Sequence, residues 1–171
     1  MNAAAALGAV LDDLAAVVDS LSDAQYADSA LPGISGSVGG HVRHCLDHVR
    51  ALERGLTTGI VDYDAREREV VVELDRTLAW SLLVSARRRM LHLGDAALSR
   101  PVVVRTRLHA AGAPVEVLSS PVREFSFVIA HTIHHCATIA VLAGVTPDRL
   151  PERFGIAPST PAETVRAACA P

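Results

Sequence analysis

Apolar residues recur at steps of three and four along four long segments of the chain, and this spacing constrains the fold more than any other feature. In an α-helix such spacing places the apolar side chains on one face, which is stable only when it is buried. The 171 residues are about enough for one domain with one core. The sequence therefore predicts a single all-α domain spanning residues 1–171, a four-helix bundle with helices over residues 3–21, 38–56, 71–93 and 121–144.

Residues with capping and turn preferences fall between these segments. Ser37 and Ser120 are predicted N-caps, and a proline at the first helical position follows the second of them. Residues 27–36 are rich in turn formers and predict a loop. The β-favouring runs VVVRTRL and PVEVL predict a short β-hairpin or an extended crossover before the last long helix. Five prolines in residues 146–171 predict an irregular C-terminal strap, with at most one short helix at 162–168.

Composition and charge exclude several classes of function. Hydrophobic residues make up 50% of the chain and charged residues 20%, which is typical of a folded domain. Sixteen basic and nineteen acidic side chains give a net charge of −3, so we expect no nucleic-acid partner. The first apolar segment contains Asp12 and Asp13 and no basic region precedes it, which is not typical of a signal peptide. Charges and histidines interrupt the most apolar C-terminal segment, so we expect a soluble cytoplasmic protein without membrane association.

The cysteines indicate a reducing environment. Cys45, Cys136 and Cys169 are odd in number and form no CxxC pair, which argues against a disulfide framework. We expect reduced thiols that are buried as small hydrophobic side chains.

Histidines on the last predicted helix are the first candidates for a functional site. His131 and His135 are four residues apart, so their imidazoles lie one above the other and can reach a common point. Glu124, seven residues before His131, lies on the same face, where it could orient a histidine, act as a base or pair with an arginine. His92 and His109 stand alone and are predicted to be surface residues. The histidine pair predicts part of a metal site.

The second predicted helix carries three further histidines. His41, His44 and His48 lie near one side of it, so one of them could supply a third ligand. The apolar stripe of this helix is nearer to His41 and His48 than to His44, and periodicity alone therefore favours those two. Asp47 is a candidate acceptor for an imidazole N–H group. Neutral imidazoles suit zinc, nickel, iron or copper, and three ligands with an open position are typical of a catalytic site.

Four motifs spread over nearly the whole chain carry a resemblance to a known family. They are Ser37 followed seven residues later by His44, the run GGHVRHCLDH, the segment DYDARERE, and HTIHH on the last long helix. With these motifs the chain resembles the DinB-like, or YfiT-like, superfamily of bacterial metal-binding four-helix proteins, and this resemblance implies an up-down four-helix bundle. The resemblance implies His44, His131 and His135 as ligands of a divalent transition metal, namely zinc, nickel or iron. His48, one turn beyond His44, is the substitute candidate.

The superfamily also suggests an activity. Its characterised members include S-transferases that use a low-molecular-weight thiol such as bacillithiol, and metal-binding domains of a mycothiol-dependent isomerase and of an ergothioneine-synthesis enzyme. The resemblance implies a metal-dependent thiol S-transferase or hydrolase that acts on a small-molecule substrate or thiol and forms a homodimer. Two alternatives are a non-catalytic metal-binding or stress-response dimer, and a helical dimer whose histidines bind metal only adventitiously.

Overall fold

The computed structural model describes residues 2–28, 31 and 33–161, which form a mostly helical protein with a small three-stranded sheet. The helices are α1 (Ala3–Ser20), α2 (Asp23–Ala27), α3 (Val38–Thr58), α4 (Val70–Leu74), α5 (Arg76–Leu91), α6 (Asp95–Ser99) and α7 (Pro121–Ala143), followed by a 3₁₀ turn at Pro147–Arg149. The strands are β1 (Ile60–Asp62), β2 (Val102–Thr106) and β3 (Val115–Ser119).

The four longest helices enclose the core. Helix α1 packs against α5 and α7, and α3 packs against the same two helices. The apolar faces predicted for α1 and α3 are buried, whereas the buried residues of α5 are Ala79, Leu83, Ala86 and Met90, and its Leu78 and Leu82 are only half-buried. Each large aliphatic side chain taken out of water contributes about 1.5–3 kcal/mol. The completely buried core side chains include Leu7, Leu11 and Leu14 of α1, Val42 and Leu52 of α3, Leu83 and Met90 of α5, and Phe125 and Ile139 of α7.

The predicted helix caps are confirmed. The Ser37 side chain accepts a hydrogen bond from the Gly40 N–H at the start of α3, and Ser120 accepts one from the Arg123 N–H at the start of α7. Helix α3 extends two residues beyond the predicted end and stops at Gly59, whose φ of 89° is the left-handed conformation that glycine adopts without strain.

The prediction of one continuous third helix over residues 71–93 is wrong, because this segment is interrupted at Asp75. Asp75 has an extended backbone (φ −107°, ψ 97°) that ends α4, and its side chain accepts a hydrogen bond from the Leu78 N–H as the N-cap of α5. Gly94, the residue after the third predicted helix, is the N-cap of the short helix α6, which was not predicted. Helix α2, which lies just before the predicted loop and reaches its first residue, was not predicted either.

The predicted hairpin is confirmed, and the sheet has one strand more than expected. Strands β2 and β3 pair antiparallel, with Val104 opposite Val117. Strand β1 pairs parallel with β2, placing Val61 opposite Val104. Since Ser119 ends β3 only two residues before α7 begins, the sheet lies beside the first turns of α7.

Helix α7 is long and apolar enough in composition to cross a membrane, and 33% of its most apolar window is buried inside the protein. This is weak evidence, because the core helix of a protein that never enters a membrane passes the same test. The helix buries Glu124 and Thr132 together with its apolar face, and contacts α1 and α3. The absence of membrane association stays a prediction.

The described part of the C-terminal strap is irregular, as predicted. It buries Phe154, and Gly155 (φ 72°) lies so close to α7 that an added Cβ would be 2.6 Å from the Ala137 Cα atom. The short helix predicted at 162–168 and Cys169 lie outside the described residues.

Candidate metal centre

Helices α3 and α7 bring five histidines into one cluster. From α3 come His41, His44 and His48, and from α7 come His131 and His135. The α3 residues are spaced three and four apart, so each successive imidazole lies about one turn along the same side of the helix. His48 is buried and the other four are half-buried, in keeping with the periodicity that placed His48 nearer the apolar stripe than His44.

Three of these histidines have the geometry of a metal site. One ring nitrogen from each of His44, His48 and His131 lies within 4.8 Å of the other two. The Nε2 atoms of His44 and His131 are 2.9 Å apart. Two nitrogens on one tetrahedral zinc ion, each about 2.0–2.1 Å from the metal, are roughly 3.3 Å apart. Small rotations of the three side chains would therefore let them hold one ion.

His135 adjoins this group. Its ring centroid is 4.7 Å from that of His44 and 4.6 Å from that of His131, so the three residues implied by the family resemblance do meet in one cluster. Its Nδ1 atom, however, lies 2.8 Å from Nδ1 of His41. His44 and His131 are common to both candidate triads, and the choice between His48 and His135 as the third ligand stays a prediction.

Hydrogen bonds determine which ring nitrogens carry protons. The Nδ1 atom of His48 is 3.0 Å from the His44 carbonyl oxygen, which can only accept, so Nδ1 carries the proton and Nε2 keeps its lone pair. This is the arrangement that orients an imidazole ligand for a metal. In His44 the arrangement is reversed, because Nδ1 accepts from an Arg66 guanidinium nitrogen at 2.8 Å.

The imidazoles are held neutral. Burial, and then the neighbouring histidines, lower the pKa of His44 and of His135 to about 3 and that of His131 to about 4. Burial likewise lowers the pKa of His41 and His48 below the usual 6.5. Each neutral ring at physiological pH keeps one lone pair, which is the state a metal requires, although the lone pair of His44 accepts from Arg66.

Arg66 is a functional candidate that the sequence analysis missed. One of its guanidinium nitrogens contacts His44. Its Nε atom is buried and has no hydrogen-bond partner among the described residues. Arg66 belongs to the segment DYDARERE, one of the four motifs of the family resemblance. The presence of this segment was the available signal, but no spacing within it points to the histidines. Tyr63, in the same segment, stacks on His48 with ring centroids 5.5 Å apart.

An aromatic pair borders the cluster. Phe127 lies one turn before His131 on α7 and stacks on its ring at 5.7 Å, while Tyr63 and Phe127 are 4.9 Å apart. With Tyr63 against His48, the two rings close one side of the cluster. We call Tyr63 and Phe127 the aromatic partition. The i−4 spacing of Phe127 and His131 was visible in the sequence, but nothing there connected it with Tyr63.

Neither predicted carboxylate contacts an imidazole by a hydrogen bond within the described part of the chain. Asp47 is buried and pairs with Arg43 on the same helix at 3.2 Å. Glu124 pairs with Arg123 at 3.0 Å. Pairing with an arginine was the simplest of the three roles considered for this carboxylate. Asp47 remains close enough to His48 to favour the charged form of that ring electrostatically.

The described cysteines belong to the core. Cys45 and Cys136 are free and buried, as expected, and burial raises the pKa of both thiols, to about 12 for Cys136. Protonated thiols are poor metal ligands. His92 and His109 are exposed, as predicted.

A small cavity of about 270 Å³ leads to the cluster from the loop before α3. Its walls include Gly36, His41, His44 and His135, together with the ion pair of Arg43 with Glu73 (2.8 Å). A small molecule in this cavity would contact His41, His44 and His135.

Comparisons with known proteins add little to this geometry. The chain is 28% identical over 102 residues to FK506-binding protein 5 of Rhizopus delemar, which is 59% of this chain and 26% of that protein. It thus spans about a quarter of the length of this curated relative, and the similarity does not show a family. No family model and no solved structure matches the chain significantly.

Proposed function

We propose that this chain is a DinB-like metal-binding protein in which His44, His131 and a third histidine hold one divalent transition metal for a thiol S-transfer or hydrolysis reaction. The observation that carries the proposal is the convergence of imidazole nitrogens from α3 and α7 to within 4.8 Å. Isolated histidine pairs on a helix surface are common. Three neutral rings that face one another from two helices are better explained by a shared ion.

The protein's own residues supply the conditions for such a site. Burial keeps the rings unprotonated. The His44 carbonyl accepts a hydrogen bond from Nδ1 of His48 and so leaves the lone pair on Nε2 of that ring, and the aromatic partition covers the side of the cluster next to the sheet. When bound, a divalent ion with an open position supplies a Lewis acid that can bind a thiol or a water molecule and lower its pKa.

The small cavity beside His44 and His135 supports a small substrate. Its described lining contains neither residue of the aromatic partition, and the Arg43–Glu73 ion pair in that lining offers one cationic and one anionic group to a polar ligand. Zwitterionic low-molecular-weight thiols carry groups of both signs, which is why we favour a thiol over an apolar substrate for this centre. The up-down four-helix bundle and the homodimer belong to the same proposal.

Metal content tests the proposal directly. Protein purified without a histidine tag is analysed for its elements, and we expect about one transition metal per chain. The substitutions His44→Gln and His131→Gln should each abolish binding, because both candidate triads contain these residues. His48→Gln and His135→Gln distinguish the triads, since only the variant that lacks the true third ligand should lose the metal. His92→Gln, at an exposed histidine, is the matched control.

The reaction is tested on cobalt-substituted protein. Addition of a small thiol such as cysteine should produce a sulfur-to-cobalt charge-transfer band if the open position accepts a thiolate. Wild-type protein without metal, or equal metal in wild type and in the His44 and His131 variants, would refute the site itself. Bound metal without any response to thiol would refute S-transfer and leave hydrolysis to be assayed.

A further inference from the structure

A second, larger cavity lies between the sheet and the first turns of α7. Its volume is about 530 Å³, within the range of about 300–1,000 Å³ that is usual for small-molecule sites. Val104 and Val117 of the sheet and Phe127 of α7 form apolar walls, while Leu108 and Leu118 at the mouth are 79% and 77% exposed. Among the residues that the structure describes, no histidine lines it. Exposed leucines beside an apolar cavity are costly in water unless an apolar ligand covers them.

A completely buried carboxylate forms the polar end of this cavity. Glu124 is 0% exposed and accepts three hydrogen bonds, from the Tyr63 hydroxyl at 2.9 Å, from the Ser119 hydroxyl at 2.5 Å and from Arg123 at 3.0 Å. A buried negative charge is costly unless it is paired and hydrogen-bonded. Two of the donors are neutral hydroxyls, so Arg123 is the cation that compensates the charge.

Arg123 differs from the other two donors because it is on the surface. Its side chain is 62% exposed, whereas Tyr63 is buried and Ser119 is half-buried. Its guanidinium carbon lies 5.5 Å from the centre of the Phe127 ring, within the distance of a cation–π contact. The structure therefore defines a cation position between a buried carboxylate and an aromatic face, and a side chain that can move into solvent occupies it.

We propose that this cavity binds an apolar molecule that carries a positively charged amine, whose ammonium group replaces the Arg123 guanidinium on Glu124. The exchange costs little, because an exposed arginine side chain keeps its charge hydrated when it swings outward. The ligand's apolar body covers Val117, Leu118 and Leu108 and supplies the gain in affinity. A carboxylate ligand would instead face the buried negative charge of Glu124, and a neutral alcohol could not replace the cation.

This proposal does not depend on the metal centre. The aromatic partition separates the cavity from the histidine cluster, and the ligand contacts Glu124 and Phe127, not an imidazole. Binding can therefore be measured on metal-free protein.

The test compares three probes of equal chain length, octylammonium, 1-octanol and octanoate, by isothermal titration calorimetry at pH 7. We expect octylammonium to bind at least about tenfold more tightly than the other two. In Arg123→Gln its affinity should rise severalfold, because no competing cation remains, whereas that of octanol should not change. In Glu124→Gln the preference for octylammonium over octanol should disappear. Arg105→Gln, at an arginine on β2 that pairs with Glu116 outside this cavity, should behave as wild type.

Two results would overturn the proposal. One is that octanol or octanoate binds to wild-type protein as tightly as octylammonium does, or that none of the three probes binds. The other is an Arg123→Gln variant in which octylammonium affinity is unchanged or reduced. If Glu124→Gln fails to fold, Arg123→Gln decides alone, since the Arg123 side chain is exposed and the Tyr63 and Ser119 hydroxyls still donate to the Glu124 carboxylate.

Discussion

Among the individual residues of the histidine cluster, Arg66 opposes metal binding. It donates to Nδ1 of His44, so the proton of that neutral ring is on Nε2, the nitrogen that faces His131. A metal bound through Nε2 requires the proton to move to Nδ1, and two donors would then face each other. The guanidinium charge beside the cluster also disfavours a second cation. Loading the site must therefore displace Arg66 from His44.

We accordingly expect Arg66→Met to increase zinc affinity by about tenfold, which corresponds to about 1.4 kcal/mol. Competition with a fluorescent zinc indicator measures the change. Arg54→Met removes an equally charged side chain that pairs with Glu67 on the exposed side of α3, and it should leave the affinity unchanged. Equal affinity in wild type and the Arg66 variant would show that the contact does not oppose the ion.

The lowered histidine pKa values predict a pH-dependent stability of the metal-free protein. In the unfolded chain the rings take up protons near pH 6.5, whereas His44 and His131 in the folded protein do so only near pH 3 and pH 4. The unfolded state therefore binds more protons below pH 6.5, and the free energy of unfolding must fall as pH is lowered from 6.5 toward 4. Each half-buried ring should contribute less than about 1.4 kcal/mol per pH unit, because solvent screens it.

Urea unfolding at pH 6.5, 5.75 and 5.0, in the presence of a chelator, measures this slope before most carboxylates titrate. His131→Gln should flatten the dependence, since one of the responsible groups is gone. His92→Gln removes an exposed histidine and should retain the wild-type slope. A wild-type free energy of unfolding that is constant over this range would contradict the burial argument.

At the scale of the elements, a glycine decides how closely α3 and α4 approach. A Cβ added to Gly39 would overlap the carbonyl oxygen of Glu73 and lie 2.7 Å from Cε1 of Tyr26. We expect Gly39→Ala to destabilise the protein by about 1–3 kcal/mol, the usual cost of overpacking. Gly40→Ala is the matched control. Its Cβ meets nothing closer than 3.6 Å, so the higher helix propensity of alanine should leave stability unchanged or raise it by about 0.5–1 kcal/mol.

Urea midpoints of the two variants provide the comparison. If both variants are equally stable, the α3–α4 contact is looser than these distances indicate.

Long periodic elements were predictable from the sequence, and short ones were not. Apolar spacing and caps identified α1, α3 and α7 nearly to the residue because many side chains contribute to each pattern. Strand β1 has three residues and gains its stability from pairing with β2, more than forty positions away, so no local pattern could reveal it. The break at Asp75 was missed because the apolar stripe continues across it, although an aspartate before a helical segment is a usual N-cap.

The candidate site shows the same division. Helical spacing grouped His131 with His135 and brought His44 and His48 to one side of α3. Periodicity could not show that α3 and α7 place His44 against His131, since the two are 87 positions apart and meet only through packing. Arg66 and Tyr63 lie on a connection with no period, and their contacts with the histidines follow from where that connection crosses the cluster.

At the scale of the whole molecule, a metal at this centre would connect two helices that are distant in sequence. Its ligands reside on α3 and α7, so an ion that binds only the folded arrangement stabilises the folded protein as a whole. At a free zinc concentration one hundred times the dissociation constant, the gain in the free energy of unfolding is about 2.7 kcal/mol.

We expect the thermal unfolding temperature of wild type to rise when zinc is added and to continue rising with zinc concentration. In His131→Gln it should stay constant. Arg123→Gln, altered in the larger cavity beyond the aromatic partition, should respond to zinc as wild type does. An equal upward shift in the His131 variant would mean that zinc binds elsewhere on the protein, whereas a wild type that zinc does not stabilise would show that the cluster does not hold its ion across α3 and α7.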